Sequence, residues 1–106
     1  MQLKILSIED IPEYKDALLE LCDPIEKRRG DYWKSLKNST FVVAAFEGEK
    51  IIGISRIITD MYMCAMIFDV LVETDFRNQW IASEIMTKTV EFCRENHIKN
   101  VSLVTD

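Results

Sequence analysis

The hydrophobic positions of this chain change their spacing along its length, and the changes predict where helices and strands lie. Residues 2–6 alternate weakly between apolar and polar side chains, which predicts a short first strand. Across residues 11–22 apolar side chains recur every three or four positions, the spacing of an amphipathic helix. A patchier apolar side over residues 25–36 predicts a second helix, and the intervening Asp23-Pro24 stops one helix and starts the other.

The middle of the chain takes up the pattern of buried strands. Residues 41–46 and 50–58 are apolar runs joined by a short glycine-containing turn, which predicts a hairpin. Residues 63–72 continue this meander as its third strand. A polar bend then leads into a long helix over residues 79–96, and residues 101–104 form a final strand.

The predicted order of elements is therefore β-α-α-β-β-β-α-β. The long helix has an apolar face broad enough to lie on a sheet, made by Ile81, Ala82, Ile85, Met86, Val90 and Cys93. A helix of this length crosses over and returns residues 101–104 parallel to residues 63–72. The sequence predicts an α/β domain over residues 1–106, with a mixed sheet that carries helices on its faces.

Composition and charge narrow the class of protein. A length of 106 residues suits one domain, and no apolar run approaches the roughly 20 residues that cross a bilayer. The net charge of −5 argues against a nucleic-acid binder. The three cysteines are widely spaced and form no metal-binding pattern, which is typical of reduced thiols in a cytoplasmic protein. We expect no membrane, nucleic-acid or metal partner.

The junction between the third meander strand and the long helix has the strongest chemical signature. A helix that opens directly after a strand presents free backbone N–H groups and the positive end of its dipole, which together favour anions. Arg77 lies just before this helix, where a guanidinium would meet phosphate oxygens in a forked geometry.

Here the sequence resembles a known family. Residues 72–83 are similar to the acetyl-CoA loop of the GNAT superfamily of N-acetyltransferases, which reads Gln or Arg, two residues, Gly, one residue, then Gly or Ala. Arg77 and Ala82 match its first and last positions, and Trp80 stands where the family has glycine. The order of elements is similar as well, including residues 50–53 in the third strand.

The resemblance implies an acetyl-CoA-dependent enzyme that moves an acetyl group to a primary amine of a small molecule or protein. It implies that the strand before the loop parts from its neighbour, so that its backbone contacts the cofactor at Val70, Leu71 and Val72. The cofactor-binding loop it implies consists of Arg77, Asn78, Gln79, Trp80, Ile81, Ala82 and Ser83. If φ at Trp80 is negative, the indole side chain only adds bulk over the cofactor. If φ is positive, the backbone strain costs about 1–2 kcal/mol.

Several other side chains have two interpretations each. Asp69, the only carboxylate inside its strand, is either the general base that deprotonates the amine or a partly solvated strand residue. Tyr32 and Trp33 either line the acceptor pocket or pack the second helix. His97, the only histidine, is favoured as a left-handed cap at the helix end over a catalytic base.

The family fold continues past the fifth strand with another helix and two strands, and that helix often carries a tyrosine acid. The given sequence ends at Asp106. Two alternatives therefore stand beside the enzyme: a CoA-binding domain with little or no catalysis, and a truncated interaction module. An apolar edge at residues 101–104 also predicts a homo-oligomer that covers this strand.

Overall fold

The computed structural model describes residues 1–21, 29–77 and 80–104 of the chain. Within them the strands are β1 (Gln2–Ser7), β2 (Phe41–Glu47), β3 (Lys50–Thr59), β4 (Cys64–Val72) and β5 (Asn100–Leu103). The α-helices are α1 (Lys15–Leu21), α2 (Arg29–Lys37) and α3 (Ile81–Glu95), with short 3-10 helices at Ile11–Tyr14 and Thr74–Phe76. None of the described helices is long and apolar enough to span a bilayer.

The strands form one sheet in the order β1-β2-β3-β4-β5. Neighbouring strands from β1 to β4 are antiparallel, and β5 returns parallel to β4. This confirms the predicted α/β class, with its antiparallel meander and parallel return. Strand β5 is the outer strand of the described sheet and all of its residues are exposed. The homo-oligomer expected through this edge stays a prediction, which light scattering would test.

The helices pack against opposite faces of the sheet. Val43 and Ala45 of β2 join a hydrophobic cluster with α3, whereas Val42 and Ala44 join a second cluster with α1 and α2. Because successive side chains of a strand point to opposite faces, this alternation places the two clusters on the two sides. The first predicted helix opens as the 3-10 turn at Ile11–Tyr14 before α1 begins.

Helix α3 approaches β3 closely at Gly53. A Cβ atom at this position would lie 2.6 Å from Cδ1 of Ile85, 3.3 Å from Cγ2 of Ile81 and 3.2 Å from the Leu71 carbonyl oxygen. Ile85 is fully buried, so its side chain has little room to move away. The absence of a side chain at Gly53 therefore sets how close the first turns of α3 come to the sheet.

The buried face of α3 is rotated from the predicted one. Ile81, Ile85 and Cys93 are buried as expected, but Ala82 is exposed and Met86 and Val90 are only half-buried. Thr89 and Phe92 take their place against the sheet. The reason is the aromatic contact between Phe92 and Phe41, with ring centroids 4.6 Å apart, together with a hydrogen bond of the Thr89 hydroxyl.

The C-terminal end of α3 has a fully bonded cap. His97 adopts the left-handed conformation at φ 58° and its N–H donates to the Arg94 carbonyl at 3.0 Å. The N–H of Ile98 donates to the Cys93 carbonyl at 3.1 Å, which completes the six-to-one bond of a Schellman motif. The capping role expected of His97 is confirmed.

Candidate active site

Strand β5 pairs with only the first part of β4 in the described part of the chain. They are paired from Cys64 opposite Asn100 to Ile67 opposite Leu103, and the Val104 N–H still donates to the Ile67 carbonyl at 2.9 Å. Beyond this point, residues 68–72 of β4 have no strand partner on their β5 side in the described part of the chain. The backbone of residues 68–72 is therefore an open edge in the described part of the chain, and we call the space beside this edge the wedge. The parting of β4 from its neighbour that the resemblance implies stays a prediction.

A β-bulge shapes this edge. Ile54 pairs with Leu71 and Arg56 with Phe68, so that Ser55 lies opposite two residues of β4, at positions 69 and 70. The Glu73 N–H donates to the Ile52 carbonyl at 2.8 Å, which directs the backbone of residues 71 and 73 toward β3. By alternation, the N–H and C=O groups of residues 70 and 72 point into the wedge.

The predicted base lies at this bulge. Asp69 occupies one of the two bulged positions, and its side chain lies outside the described part of the structure. Its role as general base stays a prediction. Three residues were expected to offer backbone groups to the cofactor. The backbone groups of Val70 and Val72 are on the open side of β4, whereas Leu71 pairs with Ile54 of β3.

The turn after β4 connects the strand end to the arginine. The Glu73 carboxylate accepts a hydrogen bond from the Asp75 N–H at 3.2 Å, and the 3-10 helix follows. Arg77 ends that helix, and its Nε donates to the Val72 carbonyl at 3.3 Å while the side chain stays exposed. The guanidinium of this exposed residue is therefore held beside the end of β4, where it can bind an anion.

Helix α3 begins beside this arginine in a strained conformation. Trp80 has φ 68° and ψ 14°, which lies in the left-handed region that glycine adopts without strain, and its side chain is 79% exposed. Its carbonyl accepts the first helical bond, from Glu84, so the N–H groups of Ile81, Ala82 and Ser83 precede the helical ladder. The Trp80 side chain makes no capping hydrogen bond. Asn78 and Gln79 lie outside the described residues.

A cleft of about 380 Å³ opens on the α1 side of the sheet. It is lined by Ala17, Glu20, Leu21, Glu49, Lys50, Ile51 and Glu73. Glu73 directly follows β4, so the cleft adjoins the end of the strand that forms the wedge. No pattern in the sequence indicates this site, because its glutamates come from three segments that only the folded sheet brings together.

The acceptor-site role expected of two aromatic residues, Tyr32 and Trp33, stays a prediction. Trp33 is half-buried against the second hydrophobic cluster, and the Lys15 ammonium lies 5.4 Å from its ring centroid. The Tyr32 side chain lies outside the described part of the structure. Cys93 is buried, and burial raises the pKa of its thiol, which makes it a poor nucleophile.

Solved structures similar to this chain show the same fold. A protein of unknown function from meticillin-resistant Staphylococcus aureus, described as a probable acetyltransferase, is 28% identical with a TM-score of 0.72; the match covers 99% of this chain and 80% of that one. An aminoglycoside acetyltransferase from an uncultured soil metagenomic sample, in complex with trehalose, is 21% identical with a TM-score of 0.76, covering 99% and 77%. A ribosomal-protein-alanine N-acetyltransferase from Brucella melitensis is 13% identical with a TM-score of 0.74, covering 100% and 81%.

The latter two similarities concern the fold alone. No curated protein matches the chain. A family model does match: that of the acetyltransferase (GNAT) family aligns with residues 7–106, which include the wedge, Arg77 and the start of α3. The chain therefore belongs to the GNAT family of acetyltransferases.

Proposed function

We propose that this protein transfers the acetyl group of acetyl-CoA to a primary amine. The observation that carries the proposal is the backbone edge of β4, open in the described part of the chain, directly beside the start of α3. An extended ligand with amide groups at one end and phosphates at the other fits these two neighbouring features. The amide groups would pair with the backbone of Val70 and Val72, and the phosphates would bind at the helix start.

Arg77 fits the phosphate end of such a ligand. Its Nε is occupied by the Val72 carbonyl, which fixes the direction of the side chain and leaves the remaining guanidinium N–H groups for phosphate oxygens. Because the same carbonyl belongs to the wedge, Arg77 links the position of the phosphates to that of the backbone edge. The N–H groups of Ile81, Ala82 and Ser83 would complete the anion site.

When bound, acetyl-CoA supplies a thioester whose acetyl carbon bonds to the amine nitrogen as its C–S bond breaks, and the proton lost by nitrogen passes to the thiolate. The protein would hold the reacting groups in position and would stabilise or neutralise the charges on them. A backbone N–H of the wedge would donate to the carbonyl oxygen as it gains negative charge. Asp69 is our candidate for taking a proton from the incoming ammonium group.

The acidic cleft supports an amine as acceptor. Among the described residues that line it, Glu20, Glu49 and Glu73 are acidic and Lys50 is basic, and this balance favours a cationic group. Its floor of Ala17, Leu21 and Ile51 would contact the carbon chain of the substrate. The cleft adjoins the end of β4, so an amine bound there would approach the wedge from the α1 side.

Binding is tested by thermal unfolding with acetyl-CoA or CoA. A ligand that binds the folded state raises the melting temperature in a concentration-dependent way. We expect Arg77→Ala to remove most of this shift and Arg94→Ala, an exposed arginine at the other end of α3, to keep it. A chain that shows no shift at millimolar CoA would not be an acetyl-CoA enzyme.

Catalysis is tested by turnover with a panel of primary amines. We expect Asp69→Asn to lower kcat without weakening CoA binding, and the rate to rise with pH as more of the amine is deprotonated. Replacing both Glu20 and Glu49 by Gln should raise KM for the amine and leave KM for acetyl-CoA unchanged. An unimpaired Asp69→Asn variant would assign the base to another group.

A second candidate function is binding of CoA without catalysis. Trp80 favours it, because an exposed indole at the loop's glycine position adds a side chain where the family has none. Binding in the first test together with no turnover for any amine would select this alternative.

A further inference from the structure

A pair of buried hydroxyl groups connects α3 to the sheet within an otherwise apolar interface. Ser55 of β3 and Thr89 of α3 are both fully buried, and their hydroxyl oxygens lie 2.7 Å apart. Around them α3 packs on the sheet through residues such as Ile85, Ile57 and Phe92. Apolar contacts tolerate small shifts of a helix along a sheet, whereas a buried hydrogen bond requires one relative position.

The direction of this hydrogen bond follows from the neighbouring contacts. The Thr89 hydroxyl donates to the Ile85 carbonyl at 2.7 Å, and a hydroxyl has only one proton to give. Ser55 must therefore donate to Thr89. This is the one hydrogen bond that the described part of the structure provides for the Ser55 side chain. Thr89 stays bonded without Ser55, but Ser55 loses its partner without Thr89.

The pair lies between the two parts of the candidate site. Ser55 is the β3 residue directly opposite the bulge of β4, whose next residues form the open edge. Thr89 lies two turns along α3 from the helix start where the phosphates would bind. Gly53, two residues before Ser55, is where α3 comes closest to the strand. The same hydrogen bond thus ties the strand behind the wedge to the helix that begins at its mouth.

We propose that Ser55 and Thr89 are positioning residues for the acyl-CoA site. Their hydrogen bond fixes α3 along β3, so that the helix start stays at the distance from the bulged edge that one cofactor molecule spans. This inference rests on the proposed function, because it assigns a purpose to the spacing between two parts of that site. Neither residue touches the cofactor in this account.

The variants of the pair differ in what they leave behind. Thr89→Val keeps the shape of the side chain, removes both hydrogen bonds and leaves the buried Ser55 hydroxyl without an acceptor. Thr89→Ser keeps the hydroxyl and should restore the bond. Ser55→Ala removes only the bond between strand and helix, since Thr89 keeps the Ile85 carbonyl. It is the milder variant if Thr89→Val folds poorly.

The experiment measures CoA affinity by calorimetry and, without ligand, amide hydrogen exchange of residues 68–72 and 81–85. We expect Ser55→Ala and Thr89→Val to weaken CoA binding at least fivefold and to speed exchange in both segments. Thr89→Ser should stay within twofold of the wild type. Val42→Ala, a cavity in the cluster on the other face of the sheet, serves as the control for lost stability alone.

The outcomes separate this inference from the proposed function. If Thr89→Val and Ser55→Ala bind CoA as tightly as Val42→Ala does, the pair only stabilises the fold and the inference is wrong. If the wild type does not bind CoA, the proposed function fails, and the exchange data alone then decide. Faster exchange in both segments that Thr89→Ser reverses would still support a positioning role, and unchanged exchange would overturn it.

Discussion

The two ends of α3 both carry a non-glycine residue in the left-handed conformation, Trp80 at φ 68° and His97 at φ 58°. At the C-terminal end, the N–H groups of His97 and Ile98 both donate to helix carbonyls, and Ile98 is buried in the core. At the N-terminal end, the Trp80 side chain makes no capping hydrogen bond, and its indole is 79% exposed.

The difference separates strain that the fold explains from strain that it does not. The left-handed turn at His97 is the geometry that satisfies the last carbonyls and brings Ile98 into the core. The turn at Trp80 is followed by three N–H groups that lie outside the helical ladder, and it leaves the aromatic ring exposed. Backbone strain without a structural gain is concentrated at functional sites. The comparison therefore predicts that changes at the C-terminal end affect stability, whereas changes at the N-terminal end affect binding.

The largest expected effect is the loss of the buried residue at the C-terminal end. Ile98→Ala should lower the free energy of unfolding by about 2–4 kcal/mol, since it removes a buried side chain and leaves a cavity. Ile8→Ala, at a position 52% exposed, is the matched control and should change stability by less than about 0.5 kcal/mol. Urea denaturation measures both. An equal effect of the two would mean that the C-terminal cap is not docked in the core.

A smaller effect is expected at the two left-handed positions. Trp80→Gly relieves about 1–2 kcal/mol of backbone strain, and glycine costs roughly 0.5–1 kcal/mol of chain entropy. The net gain in stability should therefore be about 0–1.5 kcal/mol, and His97→Gly should give a similar gain. Denaturation of the two variants side by side measures this. A loss of stability at Trp80 would show that the indole packs on the protein.

CoA affinity should distinguish the same two variants. We expect Trp80→Gly to weaken binding about tenfold, as loss of one stacking contact between an aromatic side chain and a base would do, and His97→Gly to leave it unchanged. Tighter binding by Trp80→Gly would show that the indole blocks the site. Equal affinity of Trp80→Gly and the wild type would mean that residues 77–83 are not the cofactor-binding loop.

Much of the fold follows from local patterns in the sequence. The strands and α3 were predicted within a few residues because their apolar runs have the period of the element they form. The prediction of the inward face of α3 was partly wrong, because a search for apolar side chains selects Ala82 and omits Thr89. The hydroxyl of Thr89 is buried only because Ser55 lies opposite it, and no local pattern carries that pairing.

The candidate site was predictable where one continuous segment forms it. Arg77 and the start of α3 are adjacent in sequence, and the family resemblance identifies them together. The bulge opposite Ser55 depends on the register of two strands, which the sequence does not specify locally. The acidic cleft joins Glu20, Glu49 and Glu73 from distant segments, so only the folded chain reveals it.

The smallest expected effect is a pH dependence at the β3–β4 turn, which is bonded to the residues that follow the C-terminal cap of α3. Lys99 and Asn100 donate to the carbonyls of Tyr62 and Met63 in the β3–β4 turn. In the same turn, one oxygen of the Asp60 carboxylate accepts the N–H groups of Tyr62, Met63 and Cys64 at 2.8–3.2 Å. These bonds, from Tyr62 foremost, lower the pKa of Asp60 below its ordinary value of 3.8.

Acid should therefore loosen the C-terminal end of α3 before the N-terminal end. Because the pKa of Asp60 is lower in the folded state, its contribution to stability is complete above about pH 4, the pKa of an unfolded aspartate, and is lost as pH falls through the folded value. Asp60→Asn keeps an oxygen acceptor but does not titrate. The difference between the pH responses of the wild type and this variant therefore isolates the effect of ionising the carboxylate. Amide protection, corrected for the pH dependence of intrinsic exchange, should fall between pH 6 and pH 3 at Tyr62 and Asn100 in the wild type and not in Asp60→Asn, while residues 81–85 respond equally in both proteins. A loss of protection at residues 81–85 that Asp60→Asn abolishes would show that the two ends of α3 respond as one unit.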